Sequence, residues 1–260
     1  MHAVVIGQGA AGLTAALVLA QQGVEVTSIS KTQPGKATST IYSGGGFTLG
    51  VGGLSPDEHK NMTLRTGRNL NAPELLEIFT QEAPSIVTFL RESGVPFAVH
   101  HGGISLQKDP SFPLLGGKSL IDALYTMCVH SGVNFLPNAI VTRLLTDCRG
   151  ICGIEWLQRK TKEISILSAD SVVMATGGGG AIYERTDNPP RITGDGYMLA
   201  LHTGCHLVDM EFVQFYPIGI DVPGGAHWFI DLGIIDIARL TDANGEPFLD
   251  TLLKQEGLSS

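Results

Sequence analysis

The chain has 260 residues, 43% of them hydrophobic, so it can bury a substantial core as one large domain or two unequal ones. Its formal net charge is −8 and it has no long run of Lys or Arg, which argues against a nucleic-acid partner. The apolar stretch from Ala10 to Ala20 is too short to span a bilayer, so we expect no transmembrane segment.

The first thirty residues show a strand pattern, a helix pattern and a second strand pattern. A β-branched run from Ala3 to Ile6 precedes a glycine turn, and an Ala- and Leu-rich helical stretch extends to Gln22. Gly23 predicts the end of this helix, and a second β-type run follows over Val24–Ile29. The chain therefore begins with a βαβ unit.

A loop and a helical region follow. Residues 31–53 contain many Gly, Ser and Thr with little periodicity, which predicts a long ligand-binding loop. Helix starts are predicted at Ser55 and Ala72, the second helix running on to Gly94, and another helix is predicted over Ser119–His130. We interpret residues 55 to about 130 as a helical insertion.

Strand patterns return near residue 133. Short strands are predicted over residues 133–136, 140–145, 151–157 and 163–167, and the apolar run Ser171–Ala175 predicts a buried strand. Together with the N-terminal unit, these segments predict an α/β, Rossmann-like fold of three layers. Its central parallel sheet would be built from residues 1–55 and roughly 100–215.

The segment Gly7-Gln8-Gly9-Ala10-Ala11-Gly12 is a GxGxxG motif between a strand and a helix. Gly7 permits a tight turn, Gly9 lets the backbone approach a pyrophosphate, and Gly12 lets the helix pack closely on the strand. The start of the helix supplies free N–H groups for phosphates. An ordinary tight turn is the alternative, but the position of the motif favours dinucleotide binding.

The motif usually places an acidic residue about 20 positions further on, where it holds the ribose hydroxyls. In this chain the second strand ends Ile29-Ser30-Lys31, so Ser30 stands at that place. The glycine motif alone therefore leaves FAD and NAD(P) open.

Two further glycine motifs lie downstream. Ala175-Thr176-Gly177-Gly178 follows an apolar strand, and Thr193-Gly194-Asp195-Gly196 precedes the segment DMEFVQFYPIG over Asp209–Gly219. These blocks resemble the succinate dehydrogenase, fumarate reductase and L-aspartate oxidase flavoproteins, whose pattern is close to TGDG followed by DMEFVQFHPTG. Ser39–Gly46 is similar to the flavin loop of that family, and the resemblance covers essentially the whole chain.

The resemblance implies an FAD-dependent oxidoreductase, represented here by its N-terminal part. It implies an FAD-binding domain over residues 1–215 and the start of a truncated, α+β substrate-capping domain over residues 216–260. Small residues would admit the backbone to the flavin and the phosphates, and polar side chains would hold the ribose and the flavin edges. The implied FAD-binding residues are Gly7, Gly9, Ala11, Gly12, Ser30, Lys31, Ser39, Thr40, Gly45, Gly46, Ala175, Thr176, Gly177 and Asp195.

The chain also departs from the family pattern. Ser39 precedes Thr40 where covalently flavinylated members have a histidine, so we expect non-covalent FAD. Tyr216 and Ile218 replace the histidine and threonine of the family's HPTG segment, and residues 233–240 are mostly apolar where the family has TEGCRGEGG. We therefore expect an altered substrate pocket. The sequence identifies no catalytic residue beyond Tyr216, the polar group that we expect nearest the flavin, and it signals no metal site.

Three functional hypotheses follow. The first is an FAD-dependent oxidoreductase that acts on a small molecule, with a carboxylate as one expected class, and uses an electron-transfer partner or a complementing subunit. The second is a non-catalytic flavin-binding fragment or assembly subunit that needs a partner chain. The third is an NAD(P)-dependent reductase, motivated by Ser30. We expect a cytoplasmic location, which includes the periphery of a membrane complex.

Overall fold

A computed structural model describes residues 1–111, 115–216, 218–220, 223, 228–230, 238–249 and 252. The chain divides into two compact units: a larger one of residues 1–182 and 188–208, and a smaller one of residues 183–187 and 209–260. The structure has twelve strands and six α-helices in the described parts of the chain. They are β1 (His2–Ile6), α1 (Ala10–Gln21), β2 (Glu25–Ile29), β3 (Gly46–Thr48), α2 (Pro56–Thr66), α3 (Pro73–Glu82), α4 (Ser85–Glu92), β4 (Phe97–His100), β5 (Gly103–Leu106), α5 (Gly117–His130), β6 (Asn134–Leu136), β7 (Ala139–Asp147), β8 (Gly150–Gln158), β9 (Ile164–Ser168), β10 (Ser171–Met174), α6 (Asp195–His202), β11 (Gly219–Ile220) and β12 (Trp228–Phe229).

A four-stranded parallel sheet with the order β10-β1-β2-β6 lies at the centre of the larger unit. Strand β1 pairs in parallel with β10 on one side and with β2 on the other, so residues far apart in the sequence become direct neighbours. Val4 lies between Val172 and Thr27, for example. The N-terminal βαβ unit thus supplies the middle of the sheet.

The two faces of this sheet are covered by different layers. Alternate residues of a strand point to opposite faces; Val5 packs with Leu17 of α1 and Leu124 of α5, whereas Val4 packs with Ile154 of β8 and Leu199 of α6. One outer layer is therefore helical, and the other is built from the antiparallel sheet β7-β8-β9 together with α6. The predicted three-layer α/β fold around a parallel sheet is confirmed.

Three local predictions were wrong. The helix predicted from Ala72 to Gly94 is broken into α3 and α4, because Pro84 has no N–H and its ring clashes with the preceding turn. The strands predicted over residues 140–167 do not join the central sheet, because tight turns connect them and short connections allow only antiparallel pairing. The third wrong prediction is that residues 31–53 are only a loop and that the insertion from residue 55 to about 130 is only helical. Strands β3, β4 and β5 lie in these two segments and form the antiparallel sheet β3-β5-β4.

Replacing Gly12 with alanine should destabilise the protein, although this replacement usually stabilises a helix. Alanine is normally the better helix former by about 1 kcal/mol. A Cβ on Gly12, however, would lie 2.0 Å from the carbonyl oxygen of Gly7 and 3.3 Å from Cβ of Ala175, and this backbone cannot move aside cheaply. We expect Gly12→Ala to lower the free energy of unfolding by about 1–3 kcal/mol in urea titrations.

Gly44→Ala is the matched control, because a Cβ there meets nothing within 4 Å. We expect a change within about 0.5 kcal/mol. An unchanged or increased stability of Gly12→Ala would show that helix α1 and strand β1 are not in the close contact described here.

Candidate cofactor-binding site

A cavity of about 330 Å³ lies in the larger unit, at the carboxyl ends of β1, β2 and β10. Five chain segments contribute to its wall: residues 6–11, residues 29–32, residues 36–40, residues 174–177, and residues 191–195 except Thr193. Residues 139–141 and Leu199 contribute as well. Parallel α/β sheets bind their ligands at this end, outside the strands. The three glycine motifs of the sequence therefore converge on one site.

The turn after β1 shows why small residues are required. Gly7 has a φ of +112°, and a Cβ on it would lie 2.1 Å from the carbonyl oxygen of Ala175. Gly9 precedes α1 in extended conformation and gives no side-chain cap to the first turn of that helix. The backbone N–H of Ala10, the first residue of α1, donates a hydrogen bond to Oγ1 of Thr40 at 3.1 Å. The helix N-terminus thus meets the loop that follows β2.

An ion pair crosses the cavity wall from the end of β2 to the start of α6. Nζ of Lys31 lies 2.7 Å from Oδ2 of Asp195 and also donates to Oγ1 of Thr193 and to the carbonyl oxygen of Arg191. Thr193 donates its hydroxyl to Oδ1 of Asp195 at 2.6 Å. Partial burial raises the pKa of Asp195, but the hydrogen bonds from Lys31 and Thr193 outweigh it, and the pKa lies below its usual value.

The charges of the wall suit an anionic group. Lys31, Lys36 and Arg191 line the cavity, whereas Asp195 is the sole carboxylate among the lining residues. Pyrophosphate oxygens accept charge-assisted hydrogen bonds from such cations and from N–H groups at a helix start. A cradle of bare backbone, flanked by three cations, fits the diphosphate of a dinucleotide.

The structure brings most of the predicted site residues together. The lining members are Gly7, Gly9, Ala11, Ser30, Lys31, Ser39, Thr40, Ala175, Thr176, Gly177 and Asp195. Gly12 lies behind the wall, where it packs against Gly7 and Ala175. Gly45 packs against the backbone of Gly116, and Gly46 begins β3, so neither lines the cavity. Tyr216 belongs to the smaller unit and is 43% exposed.

Sequence reasoning missed five polar lining residues, one of which, Thr32, directly follows Lys31 in the predicted loop. Gln8 is buried, and its Nε2 donates to the carbonyl oxygen of Ser28 at 3.1 Å, while Oε1 finds no partner in the described part of the chain. Lys36 and Thr38 lie in the predicted loop, and Arg191 lies just before the Thr-Gly-Asp-Gly motif. The positions of Gln8 and Arg191 within or next to a glycine motif could have identified them as lining residues. No pattern singled out Lys36 or Thr38.

The comparison with protein families agrees with this geometry, because residues 2–255 match the model of an FAD binding domain. The chain belongs to this FAD-binding domain family. The choice between FAD and NAD(P), open on the glycine motif alone, is thereby decided for FAD. The predicted resemblance to the fumarate reductase and succinate dehydrogenase flavoproteins is confirmed as well.

Two relatives illustrate this similarity. The chain is 31% identical to the L-aspartate oxidase of Streptomyces coelicolor, over 95% of this chain and 46% of the relative. It is 32% identical to the fumarate reductase flavoprotein subunit of Mycobacterium tuberculosis, over 85% of this chain and 40% of the relative. The chain thus spans less than half the length of these curated relatives.

Solved structures match equally well in fold. The chain superposes on Mycobacterium smegmatis Sdh1 with a TM-score of 0.80 at 28% identity, covering 95% of this chain and 46% of that one. A quinol-fumarate reductase chain gives a TM-score of 0.84 at 24% identity, covering 96% of this chain and 45% of that one. The second likeness is evidence of the fold alone.

The described residues contain neither a membrane-spanning helix nor a cluster of metal ligands. None of their helices is long and apolar enough to cross a membrane. No three His, Cys, Asp or Glu side chains among them come together as metal ligands.

The ion pair predicts a pH-dependent stability. Asp195 has a lowered pKa in the folded state, so the pair stabilises the fold above about pH 4, the usual range for an unfolded Asp. This contribution is lost as the pH falls through the lowered pKa. We expect Lys31→Met to reduce the free energy of unfolding by ~1 kcal/mol or less at pH 7, because the pair is partly exposed, and this reduction to become smaller as the pH falls below about 4.

Urea titrations between pH 7 and pH 3 measure this difference. Lys160→Met, on the exposed turn between β8 and β9, makes the same chemical change away from the cavity and should leave the pH profile unaltered. A difference between wild type and Lys31→Met that stays constant over this pH range would contradict the assignment.

Proposed function

We propose that this chain is the FAD-binding part of a flavoprotein oxidoreductase of the fumarate reductase and succinate dehydrogenase type. The FAD is held non-covalently, and the substrate pocket is altered. The observation that carries the proposal is the convergence of three glycine motifs and three cations on one cavity at the carboxyl ends of β1, β2 and β10. FAD, once bound, supplies two-electron redox chemistry, and the protein supplies binding and orientation.

The proposed role of the N-terminal motif is to hold the pyrophosphate. Gly9 leaves the approach to helix α1 open, because a Cβ there would meet only Oγ1 of Thr40 at 3.4 Å and Cβ of Thr38 at 3.9 Å. The first-turn N–H groups then point at the anion, and the partial positive charge of the helix start adds to the attraction. Lys36 and Arg191 neutralise further charge from the cavity rim.

The proposed role of the Lys31–Asp195 pair is to present an oriented carboxylate to ribose or ribityl hydroxyls. Ser30 cannot take the part of the usual strand-end acid, since its hydroxyl carries no charge. Asp195, at the start of α6, lines the same cavity and carries the charge that Ser30 lacks. Lys31 and Thr193 keep it ionised and fixed in position.

Non-covalent attachment rests on the loop that follows β2. Ser39 stands where covalently flavinylated members of the family carry a histidine, and it lines the cavity beside Thr40. Its hydroxyl donates to Oδ1 of Asn188 at 3.4 Å. A serine hydroxyl lacks the nucleophilic ring nitrogen that such a bond requires.

The substrate side is proposed to differ from that of dicarboxylate enzymes. Tyr216 and Ile218 remove an imidazole and a hydroxyl from the corresponding family segment, although a small carboxylate remains the expected substrate class. Tyr216 is the candidate catalytic residue. Of the departing segment 233–240, residues 233–237 lie outside the described part of the chain. We propose that residues 216–260 begin a capping domain.

A partner is also part of the proposal. The relatives include flavoprotein subunits, by their names, and the chain spans less than half of their length. The remaining portion of such a flavoprotein, in the same polypeptide or in a complementing chain, would provide further substrate and electron-transfer groups. A peripheral place on a membrane complex fits this view.

A non-catalytic flavin-binding subunit is the second candidate function. The observation that favours it is the replacement of the dicarboxylate-binding residues at Tyr216 and Ile218, while the cofactor cavity keeps its glycines and cations. Flavin binding without reduction by any small carboxylate, in the presence of an artificial electron acceptor, would distinguish this candidate from an oxidoreductase.

Gly9→Val tests the phosphate-binding role. The backbone at Gly9 is unstrained for other residues, at φ −78° and ψ −173°, so the variant should fold. Its branched side chain occupies the approach to α1, and losing one or two charge-assisted hydrogen bonds should raise the dissociation constant for FAD about ten- to a hundredfold. Flavin fluorescence quenching measures the constant.

Tyr216→Phe is the comparison variant, because it removes one hydroxyl in the smaller unit and should leave FAD affinity unchanged. The phosphate site is misplaced if Gly9→Val binds FAD as tightly as the wild type while its circular dichroism is native.

The mode of attachment has a separate test. We expect acid or urea denaturation followed by centrifugal filtration to release all of the yellow colour into the filtrate, because Ser39 cannot form the covalent link. Absorbance of the filtrate and the retained protein measures the partition. Colour that stays with the denatured protein would contradict non-covalent attachment without affecting the choice of cofactor.

A further inference from the structure

A second cavity, of about 380 Å³, lies between strand β7 and helix α6 in the larger unit. Pockets for small organic ligands start at about 300 Å³, so its size suits a ligand of several heavy atoms. Its wall consists of residues 143–146 of β7 together with Leu199, His202 and Thr203. Leu199 also lines the cofactor cavity and separates the two, while every other residue of this wall belongs to the second cavity alone.

Strand β7 is irregular where it borders this cavity. Its pairing with β8 shifts register between Val141 and Arg143 and again between Leu145 and Thr146. A regular strand turns alternate residues to one side, whereas here the four consecutive residues 143–146 contribute to the wall. Bulges redirect side chains and are frequent next to binding sites.

The wall contains two cationic or potentially cationic side chains and no carboxylate. Within the described residues, neither Arg143 nor His202 forms a side-chain hydrogen bond or an ion pair. Glu155 faces Arg143 across the strand pair, but its carboxylate accepts from Oγ1 of Thr142 at 2.7 Å and is not part of the wall. Asp147 follows the last wall residue of β7, and its Oδ2 forms an ion pair with Nη2 of Arg149 at 3.3 Å.

The carboxyl end of α6 adds little negative charge to the wall of this cavity. Helix ends carry partial negative charge on unsatisfied carbonyl groups. The carbonyl oxygen of Ala200 accepts from the backbone N–H groups of Thr203 and Cys205 and from Oγ1 of Thr203. Because this carbonyl group is satisfied, the guanidinium of Arg143 is the dominant charge of the wall, and His202 offers ring nitrogens for hydrogen bonds. An arginine fork matches the oxygens of a carboxylate or a phosphate.

We propose that this second cavity binds a small organic anion through a carboxylate or phosphate group. Arg143 is the principal anchor, and His202 and the hydroxyl of Thr146 supply additional hydrogen bonds. The site is distinct from the FAD cavity, and its existence does not depend on the redox activity proposed above.

The test is isothermal titration calorimetry of the chain in saturating FAD, so that the cofactor cavity is filled. Inorganic phosphate and citrate, titrated separately, distinguish the two anion chemistries. We expect saturable binding of at least one of them. Arg143→Gln should raise its dissociation constant about ten- to a hundredfold, the value of one or two hydrogen bonds to a charged group.

Arg149→Gln is the matched control, because this arginine lies on the same hairpin and is exposed, as Arg143 is, but lies outside the cavity. It should bind the anion like the wild type. His202→Asn, an exposed position at the end of α6, is a second variant and should weaken binding by about tenfold or less. Flavin content and circular dichroism report whether each variant is folded.

Three results would overturn the proposal. One is the absence of saturable binding of both anions to the wild type. Another is equal binding by the wild type and folded Arg143→Gln and His202→Asn variants, which would place the anion elsewhere. The third is an equal loss of affinity in Arg149→Gln, which would indicate attraction to the hairpin's general charge rather than a built site.

Discussion

The larger unit depends on the approach of two backbone turns, the one after β1 and the one after β10. Between Gly7 and the carbonyl group of Ala175 there is no room for even one methyl carbon. The same is true between Gly12 and the carbonyl group of Gly7. Helix α1, strand β1 and strand β10 are thus held at backbone contact distance, and the cavity opens where they diverge. Any side chain at these positions would separate the layers that form its floor.

The electrostatics of the cavity follow from where the strands end. Parallel strands deliver their carboxyl ends to one edge, so Lys31 after β2 and Asp195 at the start of α6 meet although 164 positions separate them. A partly exposed ion pair contributes little to stability. Its structural effect is larger: it holds the β2 loop to α6 and fixes the direction of one carboxylate. The other cations, Lys36 and Arg191, remain for an anion.

The sequence predicted those parts that are governed by local geometry. The βαβ unit follows from hydrophobic period and from glycines at fixed spacing, and all three glycine motifs do line the cavity. The break at Pro84 is also encoded locally, because proline interrupts the helix within an otherwise continuous apolar pattern. Other features depend on long-range pairing. The separate sheet β7-β8-β9 and the position of Lys36 at the cavity could not be derived, because period and propensity do not specify which strands become neighbours.

The chain keeps the cofactor motifs of its family and departs from it at the substrate segment, and the two regions differ physically. A pyrophosphate is held largely by backbone N–H groups, and the approach of that backbone requires glycine or alanine at positions such as Gly9 and Ala175. A substrate pocket is instead built from side chains, and those can be exchanged without disturbing the packing of layers. The residues that line the cofactor cavity accordingly belong to the larger unit, whereas Tyr216 and Ile218 belong to the smaller one. Under the function proposed above, flavin binding and substrate choice would therefore rest on different units and on different kinds of contact.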